Sequence, residues 1–99
     1  MRVIAKRTLR EFWQQKKYAD SEQPLKSWYK IAAKADWGTP ADIKAQFAHA
    51  SIIGKNRVVF NIAGNKYRLI VAVNYDYRIM RVRFVGTHKQ YDEINAEEI

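Results

Sequence analysis

Apolar residues recur at spacings of three and four through the first half of the chain, which is the period of amphipathic helices. Thr8 and Glu11 have the spacing of a capping box, in which a threonine side chain closes the start of a helix. The pattern therefore predicts a helix that begins at Thr8 and runs to about Tyr18. Its apolar face would consist of Leu9, Phe12 and Trp13.

Two further helices are predicted before the period changes. The second covers residues 21–34, with Pro24 in its first turn, where a missing amide hydrogen costs little. The third is short, with Thr39 as N-cap and Pro40 at the first helical position. The apolar residues that would anchor these helices are Leu25, Trp28, Tyr29, Ala32, Ala33, Ile43 and Phe47.

After Ser51 the period is two, as expected for β-strands. Three strands are predicted, separated by turns at residues 63–65 and 74–78, and a short strand is predicted at Val3 and Ile4. The central strand, over residues 66–75, is largely apolar on both faces. The residues expected on the core face are Val58, Phe60 and Ile62, then Tyr67, Leu69, Val71 and Val73, then Met80, Val82 and Phe84.

The order of elements predicts an α+β domain that spans residues 1–99, with the N-terminal helices packed on one face of a mainly antiparallel, twisted sheet. Thr87 has the position of an N-cap and would open a short C-terminal helix. The second face of the sheet would carry Arg68, Arg81 and Arg83. We expect that face to be partly open to solvent.

The charge of the chain is concentrated on the predicted strands. Lysine and arginine number 18 against 10 aspartate and glutamate, a net charge of +8. Residues 51–91 contain eight basic residues and the single acid Asp76, a net charge of +7, whereas residues 92–99 contain four acids and no base. Because a basic stripe favours a polyanionic partner, we expect such a partner to bind the segment 51–91.

Several classes of function are excluded or disfavoured by missing residues. The chain has no cysteine, so it has no disulfide, thiolate metal site or cysteine nucleophile. The common nucleotide, zinc-protease and serine-hydrolase motifs are absent. His49 and His88 have no neighbours that suggest a metal site, and we interpret His49 as an ordinary, partly buried side chain. No signal peptide or membrane span is evident, and we expect a soluble, cytoplasmic protein.

The segment 87–91 gathers the groups that RNA cleavage needs. RNA carries its own nucleophile, the ribose 2′-hydroxyl, so a ribonuclease requires a proton acceptor, a proton donor and positive charge, without a metal or cofactor. His88 and Tyr91 can transfer protons. Arg68 lies in a strand that is predicted to be central, where burying a guanidinium costs free energy unless the group is paired or has a function. Two alternatives remain open. The segment 87–91 would then be only the solvated start of a helix, and the strand arginines would only deter aggregation between sheet edges.

Two long motifs carry a family resemblance. They are VFNIAGNKYRLI at residues 59–70 and RFVGTHKQYD at residues 83–92. Both resemble the HigB toxin family of type II toxin-antitoxin systems, which belongs to the RelE/ParE superfamily. The resemblance extends over nearly the whole chain and implies a RelE-like domain.

The resemblance also implies a function. Members of this family are mRNA interferases, endoribonucleases that cut messenger RNA, typically on translating ribosomes. A HigA antitoxin with a helix-turn-helix neutralises the toxin, and the complex of the two represses its own operon, so operator DNA is contacted through the antitoxin. A ParE-like gyrase inhibitor and a non-catalytic RNA-binding module remain alternatives.

The resemblance assigns roles to individual residues. We expect Arg68, His88 and Tyr91 to be catalytic, with 2′-hydroxyl attack giving a 2′,3′-cyclic phosphate and a 5′-hydroxyl end. His88 would transfer the proton with Tyr91 as its partner, and Arg68 would stabilise charge on the phosphate. The residues expected to bind RNA are Lys55, Arg57, Lys66, Arg81, Arg83 and Lys89.

Overall fold

The structure, a computed structural model, describes all 99 residues and combines helices with a five-stranded sheet. The strands are β1 (Arg2–Ile4), β2 (Ser51–Ile53), β3 (Arg57–Ile62), β4 (Tyr67–Asn74) and β5 (Ile79–Thr87). The helices are α1 (Lys6–Trp13), α2 (Glu22–Lys34), α3 (Pro40–Gln46) and α4 (His88–Asp92), with a 3-10 helix at Lys16–Ser21. The predicted α+β class is confirmed, and so is the order of a short strand, helices, further strands and a terminal helix; the short strand β2 is an addition that the sequence did not predict.

The sheet has the strand order β1-β5-β4-β3-β2, and only β1 pairs in parallel. Its core face is covered by α1, α2 and α3, which contribute the fully buried Leu9, Leu25 and Ile43. Leu69 and Met80 project from the sheet into the same core. The prediction of helices packed on one face of a mainly antiparallel sheet is therefore confirmed.

None of the helices has the length and apolar character that a membrane span requires.

The start and end of the first helix differ from the prediction. The helix begins at Lys6, directly after β1, with Ala5 as an N-cap that makes no side-chain hydrogen bond. Thr8 therefore lies within the helix and cannot cap it. The helix ends at Trp13, and the 3-10 helix that follows places the Tyr18 ring in a stack on Phe12, with ring centres 4.4 Å apart.

The second and third helices follow the sequence closely. α2 spans Glu22–Lys34, and α3 begins after Thr39 with Pro40 in its first turn. Thr39 Oγ1 accepts a hydrogen bond from the Asp42 amide at 3.3 Å, and the Asp42 carboxylate accepts one from the Thr39 amide at 3.2 Å. This reciprocal pair is a complete capping box, which explains why so short a helix starts at Thr39.

A β-bulge changes which residues of β5 face the core. Val71 pairs with Val82, but Ile70 pairs with Phe84, so the pairing register shifts at Arg83. An extra residue in one strand reverses the alternation of side chains beyond it. Phe84 consequently lies on the same face as Ile70, and Val85 packs against the core instead. The prediction that Phe84 shares the core face was wrong because alternation assumes an uninterrupted ladder.

Candidate functional site

The start of α4 is fixed by a second capping box. Thr87 Oγ1 accepts a hydrogen bond from the Gln90 amide at 3.1 Å, and Gln90 Oε1 accepts one from the Thr87 amide at 2.9 Å. The predicted role of Thr87 as N-cap is confirmed. His88 and Tyr91 are three residues apart and therefore share a face of the helix. Their rings meet edge to face with centres 6.5 Å apart.

Arg68 reaches the same place from β4. Its guanidinium carbon lies 5.8 Å from the centre of the Tyr91 ring, and its Nη1 donates to the Asn65 carbonyl at 3.2 Å. Arg68 forms no salt bridge, so no carboxylate neutralises its charge. The structure thus brings together Arg68, His88 and Tyr91, the three residues that the sequence marks as catalytic.

Gly86 explains how the three residues fit together. It is buried and pairs directly with Arg68 across the sheet. A Cβ atom at this position would lie 2.6 Å from the Phe84 ring and 2.7 Å from Gln90 Oε1, the oxygen of the capping box. Both distances are far below van der Waals contact. The missing side chain therefore allows β5 to carry both the Phe84 ring and the start of α4.

Asp92 is a member of this cluster that the sequence interpretation missed. Its Oδ2 lies 3.1 Å from His88 Nδ1, and both side chains are about half exposed. With the hydrogen on Nδ1, the imidazole donates to the carboxylate and presents Nε2 to solvent. The four-residue spacing of His88 and Asp92 on a helix is the sequence signal for this contact, but Asp92 is also one of the four acids of residues 92–99, and that charge pattern obscures it.

Lys66 is drawn into a different cluster. Its ammonium group and the Tyr67 hydroxyl both donate hydrogen bonds to the carboxylate of Asp20. These two hydrogen bonds hold the pKa of Asp20 below its usual value of 3.8, and the bond from Lys66 has the larger effect. The hydrogen bond to Asp20 raises the pKa of Lys66. The pKa of Tyr67 is also raised, first by burial of its hydroxyl and then by the hydrogen bond to Asp20. Lys66 is thus engaged by an acid, unlike Arg68.

The remaining predicted RNA-binding residues lie on or near the second face of the sheet. Lys55, Arg81 and Lys89 are exposed and form no salt bridge. Arg57 and Arg83 both donate to the main-chain oxygen of Ile99, at distances of 3.0–3.3 Å. His49 lies apart from them, after α3, and is exposed, so the expectation of partial burial was wrong.

The C-terminal segment crosses this second face. Val59 and Ile70 project from the face opposite the main core, yet they are 2% and 0% exposed. On one side of them Tyr91 contacts Arg68, and on the other side Ile99 contacts Arg57. The chain that follows α4 therefore passes over Val59 and Ile70. The face is therefore more covered than the sequence predicted, because nothing local in the sequence marks this long-range contact.

Comparison with known proteins relates the chain to one family of toxins. A model of the HigB toxin family, described as the RelE-like toxic component of a toxin-antitoxin system, matches residues 21–94. The mRNA interferase HigB of Escherichia coli O6:H1 strain CFT073 is 25% identical over 96 residues, which cover 95% of this chain and 91% of that protein. The mRNA interferase toxin HigB of Escherichia coli K12 is 28% identical over 99 residues, which cover 97% and 92%. The mRNA interferase HigB of Shigella flexneri has the same identity and coverage.

Proposed function

The chain belongs to the HigB toxin family, and we propose that it is an mRNA interferase, an endoribonuclease that inhibits translation by cleaving messenger RNA. The relatives that bear this name match it over nearly its full length. The observation that carries the proposal is the convergence of Arg68, His88 and Tyr91 from β4 and α4. These groups supply positive charge, an imidazole and a phenol within one small area.

The nucleophile in this reaction belongs to the substrate. The ribose 2′-hydroxyl attacks the adjacent phosphorus, and the bond between phosphorus and the 5′-oxygen of the next nucleotide breaks. The products are a 2′,3′-cyclic phosphate and a 5′-hydroxyl end. Two proton transfers are required: the 2′-hydroxyl loses one proton and the departing 5′-oxygen gains one. Neither step needs a metal ion or a cofactor.

His88 is proposed to move a proton through Nε2. Asp92 accepts the hydrogen of Nδ1, so the lone pair of Nε2 faces away from the carboxylate and is free to take the proton of the 2′-hydroxyl. The Tyr91 hydroxyl is the second group that can exchange a proton, and it is proposed to serve the 5′-oxygen. Placing the two groups three residues apart on one helix keeps both within reach of the same phosphate.

Arg68 is proposed to stabilise the transition state. Negative charge accumulates on the non-bridging phosphate oxygens during the attack, and a guanidinium that is already positioned and unpaired can stabilise it without reorganisation. RNA would be held mainly by Lys55, Arg57, Arg81, Arg83 and Lys89. Lys66 contributes least in this account, since Asp20 holds it.

The family implies an antitoxin partner and an RNA substrate. We propose that the protein acts in the cytoplasm on mRNA at translating ribosomes and that a HigA-type antitoxin with a helix-turn-helix neutralises it. Operator DNA would be bound through the complex with that antitoxin. The exposed basic residues support contact with RNA, because phosphate contacts supply most of the sequence-independent affinity for nucleic acids.

A reconstituted translation reaction tests the proposal. Purified protein is added to ribosomes that are translating a defined mRNA, and the new RNA ends are identified chemically. The expected result is cleavage with 2′,3′-cyclic phosphate and 5′-hydroxyl ends. Intact mRNA with retained binding to RNA would indicate a non-catalytic RNA-binding module. Intact mRNA with inhibition of DNA gyrase would indicate a ParE-like toxin. Either outcome would overturn the proposed function.

A further inference from the structure

Two arginines converge on a single oxygen at the second face of the sheet. Arg57 pairs with Ala72 of the central strand, and Arg83 lies at the bulge of β5, on the other side of that strand. The Ile99 main-chain oxygen accepts from Arg57 Nε at 3.3 Å and Nη2 at 3.0 Å, and from Arg83 Nε at 3.3 Å.

No aspartate or glutamate side chain occupies this point, since neither Arg57 nor Arg83 forms a salt bridge. Guanidinium groups bind phosphate oxygens in a forked geometry. Two guanidinium groups that already converge on one oxygen are therefore placed to hold one phosphate oxygen at the same point.

The segment that supplies this oxygen makes few hydrogen bonds. The Glu98 and Ile99 amides both donate to the Asn95 carbonyl, at 3.1 and 3.2 Å. Glu97 Oε1 accepts from the Gly54 amide at 3.4 Å. Apart from the arginine bonds, these contacts are exposed or local. A strand of RNA that competes for Arg57 and Arg83 would need to break these polar contacts and to lift residues 95–99 from the face that carries Val59 and Ile70.

We propose that Arg57 and Arg83 form a phosphate subsite for the RNA strand, distinct from the cluster of Arg68, His88 and Tyr91, and that residues 95–99 fill this subsite until RNA displaces them. The proposal rests on the proposed function, since it assumes that RNA is the ligand. It adds that the two arginines hold one phosphate together and that the chain's own C-terminal segment competes with the substrate.

The first test measures how binding depends on salt. The probe is a single-stranded 2′-O-methyl oligoribonucleotide of mixed sequence, which cannot be cleaved because it lacks the nucleophile. For single strands, each neutralised phosphate contributes about 0.7 to the slope of log K against log salt. If Arg57 and Arg83 share one phosphate, the double variant lowers the slope by about 0.7. Arg57→Ala and Arg83→Ala each lower it by less, because the remaining arginine still neutralises that phosphate. The double variant weakens binding by about tenfold.

Arg10→Ala is the matched control for the salt dependence of binding. Arg10 is exposed on α1, on the other side of the sheet, so Arg10→Ala removes the same charge without touching the subsite. It is expected to leave the slope unchanged. A fall of about 1.4 in the double variant would mean two separate phosphates. Unchanged slopes, or no binding of the oligonucleotide by the unmodified protein at low salt, would also overturn the proposal.

The second test follows the C-terminal segment in the full-length protein. Hydrogen exchange of the Glu98 and Ile99 amides is expected to accelerate when the oligonucleotide binds, because their bonds to Asn95 are released. Slower or unchanged exchange would contradict displacement. Deletion of residues 95–99 is expected to strengthen binding about two- to fivefold. This gain should vanish in the Arg57→Ala/Arg83→Ala background. An equal gain in both backgrounds would reflect only the loss of two acidic residues.

These outcomes are separable from the failure of the proposed function. Binding of the uncleavable probe does not depend on catalysis, and cleavage on ribosomes is measured with a natural mRNA. A protein that cleaves mRNA but shows no effect of Arg57 or Arg83 would retain the proposed function and lose the subsite. A protein that shows the shared-phosphate slopes but never cleaves would retain the subsite and lose the enzymatic function.

Discussion

The guanidinium of Arg68 lies 5.8 Å from the centre of the Tyr91 ring, although the two residues are far apart in the sequence. Two features of the fold create this contact. Arg68 is paired across the sheet with Gly86, and α4 begins directly after β5, so the helix lies beside the start of β4, where Tyr67 pairs with Thr87. The candidate site is therefore built where a strand ends and a capped helix begins.

Replacement of Arg68 is predicted to affect catalysis more than folding. Arg68→Ala should lower the single-turnover rate of mRNA cleavage by about 10²- to 10³-fold, the cost of losing one positioned donor to a developing oxyanion. Arg68→Lys should recover part of the rate because it restores the charge without the forked geometry. The thermal unfolding midpoint should change little, since Arg68 makes no ion pair. Arg10→Ala is the control, and full activity of Arg68→Ala would contradict its role.

His88→Ala is predicted to lower the same rate by about 10²- to 10⁴-fold, as expected for loss of a general acid or base. The side chain is about half exposed, so the variant should fold normally. Circular dichroism and thermal unfolding check this point. Cleavage at the rate of the unmodified protein would show that the imidazole is not required.

Asp92 is predicted to act by orienting His88. Asp92→Ala should lower cleavage about tenfold, less than His88→Ala, because the imidazole remains but its tautomer is no longer selected. Asp92→Asn should recover part of the activity, since the amide oxygen can still accept from Nδ1. The ¹⁵N chemical shifts of the ring nitrogens report the tautomer directly. If Asp92→Ala leaves both the shifts and the rate unchanged, the contact has no role in catalysis.

Gly86→Ala is predicted to disturb the site from within the sheet. The added methyl would lie 2.6 Å from the Phe84 ring and 2.7 Å from Gln90 Oε1, so one or both must move. Displacement of Gln90 breaks the capping box, at a cost of about 1 kcal/mol to the start of α4. We expect reduced cleavage with a folded protein, measured alongside thermal unfolding. Thr87→Ala should have a similar effect through the same cap, whereas Thr87→Ser should not.

Asp20 is predicted to make stability depend on acid pH. Its pKa in the folded protein is lowered by the hydrogen bonds from Lys66 and Tyr67. The stabilisation is therefore fully present above the usual pKa of 3.8 and is lost as the pH falls through the lower folded value. Unfolding of the unmodified protein and of Asp20→Asn should be compared between pH 2 and 7. The difference in stability should shrink below about pH 4; a constant difference would contradict this assignment.

Periodicity predicted most of the elements but missed the short strand β2 and the irregularities of the others. The strand positions of Val58, Phe60 and Leu69 follow from alternation, and the start of α3 follows from Thr39 and Pro40. The bulge at Arg83 was missed because its sequence alternates as a regular strand would. The start of α1 was misplaced because the chain turns into the helix directly from β1, before Thr8.

The candidate site was predictable in part. The motif around His88 and the position of Arg68 in a central strand identified residues that the structure brings together. The contact of Arg57 with Ile99 and that of Lys66 with Asp20 join residues distant in the sequence. Such contacts depend on how the sheet and the C-terminal segment pack, so no local pattern predicts them.

The most direct test of the account maps 5′ ends of mRNA across the transcriptome after brief expression of the protein in cells. The unmodified protein is predicted to generate many new 5′-hydroxyl ends within coding sequences. His88→Ala and Arg68→Ala, at equal expression, are predicted to generate almost none. New ends at equal frequency with both variants, or none with the unmodified protein while growth still stops, would contradict the assignment of this site as the centre of an mRNA interferase.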